Sequence, residues 1–305
     1  MLKVTNSYVG GGPKFVLRSK FANTCTKGQQ KTGVVLWYQP LFLTCSFVVV
    51  IVSFAMGSTA ALPKSVHAKI DVTKSVSRVR DVASGDPHST LRKYFLALFE
   101  AHGPQHWWPG RSRFEIIVGA ILTQNTSWAN VEAAIANLRS VRLLTPLAIR
   151  AIPVAKLASL IRPSGYFRQK AKKLKTFVDF LFDGYGGSLS RMFRTPTGTL
   201  REQLLAVHGI GPETADSILL YAGKHPVFVI DAYTRRILER HALADPKRSY
   251  EDLRSLFETT LPSDPQLFNE YHALIVHTGK KFCHKSVAHC NECPLKPFLP
   301  ASAAQ

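Results

Sequence analysis

The chain has 305 residues with 39 Lys+Arg against 20 Asp+Glu, a formal net charge of +19. Residues 1–87 carry 11 basic and 3 acidic residues, which leaves 28 basic against 17 acidic, a net +11, in residues 88–305. This excludes a basic tail as the sole source of the charge, and a domain so charged attracts polyanions, although a merely solubilising basic surface has the same composition.

In chain order, the first 87 residues differ from the rest. Six basic residues lie between Lys3 and Lys31, and no charge follows between residues 32 and 63. Within that gap residues 34–56 are almost wholly apolar, long enough to span a bilayer at about 20 residues. The small residues 57–61 suit a signal-peptidase site, and residues 64–86 read as a polar linker. Basic residues flank the span on both sides, so charge sets no orientation.

From residue 88 onward the pattern is helical. Apolar residues at three- and four-residue intervals predict helices over 114–122, 131–138, 154–161, 167–182 and 200–207. Gly184, Gly186 and Gly187 punctuate the end of the fourth. Thr199-x-x-Glu202 and Ser249-x-x-Asp252 read as capping pairs. No sustained period-two pattern and no solenoid-type repeat occurs, so an all-α fold is expected. The roughly 215 residues concerned can bury a core in one domain or two small lobes.

The motifs carry more. In residues 207–215, Gly209 and Gly211 flank Ile210, and Pro212 opens a run, 213–221, with helical spacing. Proline suits a first helical position, where its missing N–H has no intrahelical partner. The glycines permit a tight turn and bare the backbone, and N–H groups at a helix start suit a phosphate. Such a turn alone reads equally well as a helix–helix connector. A short buried run, 226–230, delivers Asp231 to the start of the next helix, 232–241. Upstream, Trp107 and Trp108 precede a Pro109-Gly110 turn, and two adjacent indoles cannot share one helix face. Gln124 directly follows an apolar helix, where it is either a functional amide or a polar cap. Arg168, Lys170, Lys172, Lys173 and Lys175 spread over more than one face of one helix, as phosphate contacts or as solvated surface. Cys283, Cys290 and Cys293 fall within eleven residues and read as a ligand set. His102, His106, His208 and His241 show no ligand spacing.

Four stretches, Trp107-Trp-Pro109, Ile121-Leu-Thr-Gln-Asn-Thr126, Gly209-Ile-Gly-Pro-Glu-Thr-Ala215 and Val229-Ile-Asp-Ala-Tyr-Thr234, resemble the helix-hairpin-helix (HhH-GPD) DNA glycosylases of the endonuclease III superfamily. The likeness runs from about residue 88 to residue 299 and is greatest to the 3-methyladenine glycosylase and endonuclease III-like branch. It implies a two-lobed all-α domain over 88–299, with 300–305 as a tail. It implies a monomer acting on double-stranded DNA that contains damaged bases. Carried over residue by residue, Asp231 is the catalytic carboxylate and Glu213 a group that assists it or only suits a helix start. Gly209, Ile210, Gly211 and Gln124 meet DNA, Gln124 by filling the gap left by an extruded base, and Lys170 of the basic cluster is the further candidate for a DNA contact. Trp107 and Trp108 line the base pocket.

The cysteines follow the family's iron–sulfur spacing, but the fourth position is Leu299, and a [4Fe-4S] cubane wants four thiolates. A degenerate loop over 283–299 follows, with His284, His289 or an exogenous ligand completing a cluster, or with zinc or nothing in its place. Bifunctional members of the family place an imine-forming lysine where this chain has Glu213. Mismatched-adenine enzymes place an acidic residue where it has Ala120. The expected function is therefore monofunctional base excision, with alkylated purines as substrate. An endonuclease III-like glycosylase/abasic lyase acting on oxidised pyrimidines is the alternative. A membrane-tethered, non-catalytic DNA-binding protein is the alternative of another class. The expected location is the cytoplasm, at the nucleoid. The apolar segment is then a start assigned too far upstream or an inner-membrane anchor, while a signal for export is the remaining explanation.

Overall fold

A computed structural model describes residues 89–105, 107 and 110–300, together with Ser77 and Val79. The apolar segment 34–56, Trp108 and the tail 301–305 lie outside the described residues. Among the described residues no helix is long and apolar enough to cross a membrane. They form no named strand, and the one isolated bridge joins Cys283 to Ala288.

Helix α1 (Ser89–His102) turns Leu91, Tyr94, Phe95 and Leu98 inward, a single stripe at helical spacing. Then come α2 (Arg113–Leu122), α3 (Trp128–Ser140), α4 (Pro146–Ala151), α5 (Val154–Leu160) and α6 (Phe167–Tyr185). After them follow α7 (Leu189–Met192), α8 (Thr197–Ala206) and α9 (Pro212–Ser217), which continues as a π-helical segment, Ile218–Gly223. The last three are α10 (Ala232–Arg240), α11 (Tyr250–Thr260) and α12 (Pro265–Lys281).

Helix α2 is buried along almost its whole length and packs on α3, α6, α9 and the π-helical segment, forming one lobe. Helix α1 leaves that lobe and joins the C-terminal helices. Tyr271 of α12 donates to the Leu91 carbonyl at 2.7 Å, and the Arg92 guanidinium donates to the Thr260 carbonyl of α11 at 2.9 and 2.6 Å. The π-helical segment touches both α2 and α12, so it lies where the lobes meet. Beside it the buried run 227–230 stacks Phe228 on Phe257, centroids 3.9 Å apart.

Local chemistry accounts for the ends. The Ser249 hydroxyl accepts from the Asp252 N–H at 3.1 Å, and the Asp252 carboxylate accepts from the Ser249 N–H at 3.3 Å, the reciprocal cap expected. Gly186, at φ +60°, and Gly187 return their N–H groups to Phe182 and Leu181, which closes α6. The Thr199 pair is not a cap. Helix α8 begins two residues earlier, at Thr197 behind Pro196, so Thr199 already lies in its first turn.

Candidate active site

The run 227–230 is buried on all sides, and its end places Asp231 as the N-cap of α10. The two carboxylate oxygens differ in their partners. Oδ1 accepts from the Thr234 N–H at 2.8 Å and from the Thr234 hydroxyl at 2.9 Å, which fixes the rotamer. Oδ2 takes no part in the cap. It lies 3.6 Å from Nε2 of His272 on α12, and the Asp231 side chain is 13% exposed. One oxygen therefore holds the helix while the other is available for chemistry.

Aromatic residues wall this position. Trp107 stacks on the His272 ring, centroids 5.7 Å apart, and meets Tyr221 edge-on at 5.2 Å. Helix α12 also pins the segment that carries Trp107. The Asn269 amide donates to the Trp107 carbonyl at 3.4 Å, and the Glu270 carboxylate accepts from the Gln105 N–H. Glu213, on the first turn of α9, keeps part of its side chain at the surface. Even so, burial of its carboxyl and the nearby Asp231 charge push it up to about 7. Burial, with the Asp231 and Glu213 carboxylates close by, drives the Tyr221 hydroxyl well above its ordinary range, so it remains a protonated donor. Burial likewise pushes His272 below the ordinary imidazole value against the pull of Asp231, leaving it neutral.

The hairpin turn is shaped by Gly209 at φ +89°, where an added Cβ would lie 2.5 Å from the Lys173 side chain. A Cβ on Gly211 would meet nothing within 4 Å. Ile210 differs from the sequence expectation. Its side chain is buried, and its N–H is already given to the Val207 carbonyl at 3.0 Å, so it has neither to offer a phosphate.

Lys170 departs further from expectation. It is 2% exposed, and its ammonium donates to the Leu122 carbonyl at 2.9 Å and the Ser164 carbonyl at 2.6 Å. Burial and the nearby Lys173 charge push the amine down to about 8. This lysine braces the end of α2 from within, its ammonium turned away from the surface. Lys170→Ala should leave both carbonyls orphaned beside a cavity and lower the unfolding free energy by about 3 kcal/mol or more, measured by urea denaturation. Gln124 follows that braced end. Its amide donates to the Gly209 carbonyl at 3.1 Å and the Thr214 hydroxyl at 3.0 Å, and its Oε1 accepts from the Lys173 ammonium at 2.5 Å. The side chain thus bolts the turn after α2 to the hairpin. Two exposed residues were missed by the sequence reading: Asn125 at φ +53°, and Tyr166, 66% exposed at φ +43°. Asparagine enters the left-handed region readily, and at neither position does the positive φ leave a mark in periodicity.

Cys283, Cys290 and Cys293 are free thiols that border one cleft of about 20 Å³ with Ile237, His241, Leu295 and Leu299. That volume admits little more than one water. The Arg240 guanidinium donates to the Cys283 sulfur at 3.1 Å, and His284 and His289 pack ring edge to ring face. Among the described residues no three His, Cys, Asp or Glu side chains converge as a ligand set. With Leu299 where a fourth thiolate belongs, these residues do not fit a four-thiolate cluster.

A two-lobed helical fold that holds a half-capped carboxylate among aromatic side chains beside a Gly-x-Gly hairpin is the architecture of base-excision enzymes, and the likeness to known proteins agrees. A model of the family described as "HhH-GPD superfamily base excision DNA repair protein" matches residues 118–263. The chain is 47% identical over 210 residues to a Methanocaldococcus jannaschii protein provisionally named a DNA repair glycosylase, covering 68% of this chain and 94% of that protein. It is similar to the structure of H. pylori 3-methyladenine DNA glycosylase bound to 1,N6-ethenoadenine, with TM-score 0.55 and 30% identity over 65% of this chain and 98% of that one. A non-covalent endonuclease III–DNA complex shares the fold, with TM-score 0.61 and 21% identity over 70% of this chain and 96% of that one. The chain belongs to the HhH-GPD superfamily of base-excision DNA repair proteins and is a DNA glycosylase, a hydrolase of N-glycosyl bonds.

Proposed function

We propose that this glycosylase is monofunctional and releases alkylated purines from duplex DNA by hydrolysis, leaving the abasic strand intact. The observation that carries the reading is the division of labour at Asp231, whose Oδ1 caps α10 while Oδ2 faces the cleft. Departure of the base leaves an oxocarbenium-like sugar, and a fixed carboxylate stabilises that charge and orients the attacking water. Trp107 supplies an electron-rich face on which a cationic, alkylated purine stacks. The likeness to a glycosylase bound to 1,N6-ethenoadenine, a modified purine, supports the same substrate class. The test is direct. The protein is incubated with duplexes carrying 3-methyladenine, 1,N6-ethenoadenine, thymine glycol or an abasic site. Release of the purines without strand scission is expected, while scission at thymine glycol would establish the lyase alternative.

DNA lies across the hairpin in this proposal, with backbone contacts that position the protein and carry no base information. Because a Cβ at Gly211 meets only open space, Gly211→Val should leave the fold intact and obstruct the approaching strand. Affinity for damaged and undamaged duplex should fall alike, by roughly tenfold, in a fluorescence titration. A loss confined to damaged DNA would show that the turn reads the lesion. Gln124 can enter the duplex only by giving up Gly209, Thr214 and Lys173, whereas Asn125, exposed at the tip of the same turn, enters without that loss.

A further inference from the structure

His272 lies outside every motif quoted above, yet α12 carries it to the only oxygen of Asp231 that the cap leaves over. Its ring is 4% exposed and enclosed by Trp107, Tyr221, Phe228 and Asp231. Nδ1 lies 2.7 Å from the Tyr221 hydroxyl, a hydrogen bond in which either atom can be the donor. Nε2 is buried without a hydrogen-bond partner and aims at Asp231 Oδ2 from 3.6 Å, just beyond hydrogen-bond reach.

Only one tautomer suits both sides of the ring. With the proton on Nδ1, the Nε2 lone pair would face the carboxylate lone pairs, a repulsive contact and a buried unsatisfied acceptor. With the proton on Nε2, the Tyr221 hydroxyl donates to Nδ1 and the N–H points at Oδ2. The π-helical segment contributes here, since Tyr221 lies within it and its widened turn presents the hydroxyl to α12.

We propose that Tyr221 and His272 form a relay that positions Asp231: the Tyr221 hydroxyl fixes the Nε2–H tautomer of His272, whose N–H, directed at Oδ2 from 3.6 Å, draws that oxygen electrostatically toward its working orientation. The inference rests on the reading of Asp231 as the catalytic carboxylate. Thr234 on one oxygen and His272 on the other leave the carboxylate a single rotamer when the anomeric carbon arrives. His272 contributes no proton to the reaction, and Trp107, stacked upon its ring, lies between it and the base in the proposed pocket. A change in the relay therefore acts on the chemical step and leaves DNA affinity almost unchanged.

Two measurements on the full-length protein test this. In the free protein labelled with ¹⁵N-histidine, long-range proton–nitrogen correlations should show the buried ring as neutral with its proton on Nε2, and Tyr221→Phe should shift it toward a tautomer mixture. A proton on Nδ1 in the wild type would overturn the relay whatever the substrate. Single-turnover excision from whichever purine-lesion duplex the wild type cuts should fall about ten- to a hundredfold in His272→Leu, with duplex affinity within twofold of wild type. His272→Gln, whose amide keeps an N–H donor near Oδ2, should recover a large part of that loss. Equal losses in the Leu and Gln variants, or a folded Leu variant at the wild-type rate, would overturn the proposal. Asp231→Asn in the same assay separates the two ideas, because an active Asn variant removes the catalytic reading while the tautomer result stands.

Discussion

Asp231→Asn should reduce base release by roughly a thousandfold, the scale on which a single preorganised electrostatic group acts at a transition state. The structure makes this substitution informative because the two oxygens do separate things. An asparagine keeps an Oδ1 acceptor for the Thr234 N–H and hydroxyl, and Asn ranks with Asp as an N-cap. Folding stability should therefore change by less than about 1 kcal/mol. What is lost is the negative charge at Oδ2, the atom that faces His272 and the cleft. The measurement is a single-turnover time course on a purine-lesion duplex, paired with a thermal melt of the free protein. A folded variant that still releases base at near wild-type rate would confine Asp231 to its capping role and leave the glycosylase without its carboxylate. A variant that loses both activity and several degrees of melting temperature would instead show the cap to be worth more than the geometry implies.

Helices α3, α5, α6 and α8, each with an apolar stripe, and α2, whose apolar positions run almost unbroken, lie where the spacing put them. Helix α12 was not, for a physical reason. It is buried nearly all round, and Asn269, Glu270 and His272 interrupt its apolar positions, so no single stripe stands out. The N-terminal signal, Asp264 capping the Gln266 N–H ahead of Pro265, was present and brief. Asp231 and the hairpin were readable because each depends on a short contiguous stretch. His272 and Tyr221 were not, since 51 residues separate them and only folding brings them together. Lys170 shows a conflict between two sequence signals. Its spacing from Leu174, Phe177 and Leu181 places it on the inward stripe of α6, while its charge groups it with Lys172 and Lys173. Spacing prevails because the Leu122 and Ser164 carbonyls receive its ammonium inside the lobe. Gln124 follows the end of α2, and its ties to the hairpin and Lys173 are tertiary and leave no trace in the residues around it.

Borohydride should trap little covalent adduct between this protein and damaged DNA, and the product strand should break only on treatment with alkali. Trapping requires an amine that displaces the base at C1′ and forms an imine, which hydride then reduces. The hairpin position that bears such a lysine in bifunctional members is Glu213 here, and a carboxylate cannot form an imine. Two other lysines have amines pushed down to about 8, the range in which a nucleophilic lysine acts at neutral pH, and each is occupied elsewhere. Lys170 is enclosed within its lobe on the Leu122 and Ser164 carbonyls. Lys224 closes the far end of the π-helical segment, and its depressed amine reflects burial and the Arg113 charge, with neither Asp231 nor Glu213 among the causes. The assay compares wild type with Lys170→Ala and Lys224→Ala on a purine-lesion duplex in the presence of borohydride, resolved by denaturing gel. An adduct in the wild type that vanishes in one lysine variant would identify the nucleophile and make this enzyme a lyase. If no lysine of the described residues supplies such an amine, water oriented by Asp231 is the nucleophile the proposal calls for, and hydrolysis should end at the abasic sugar.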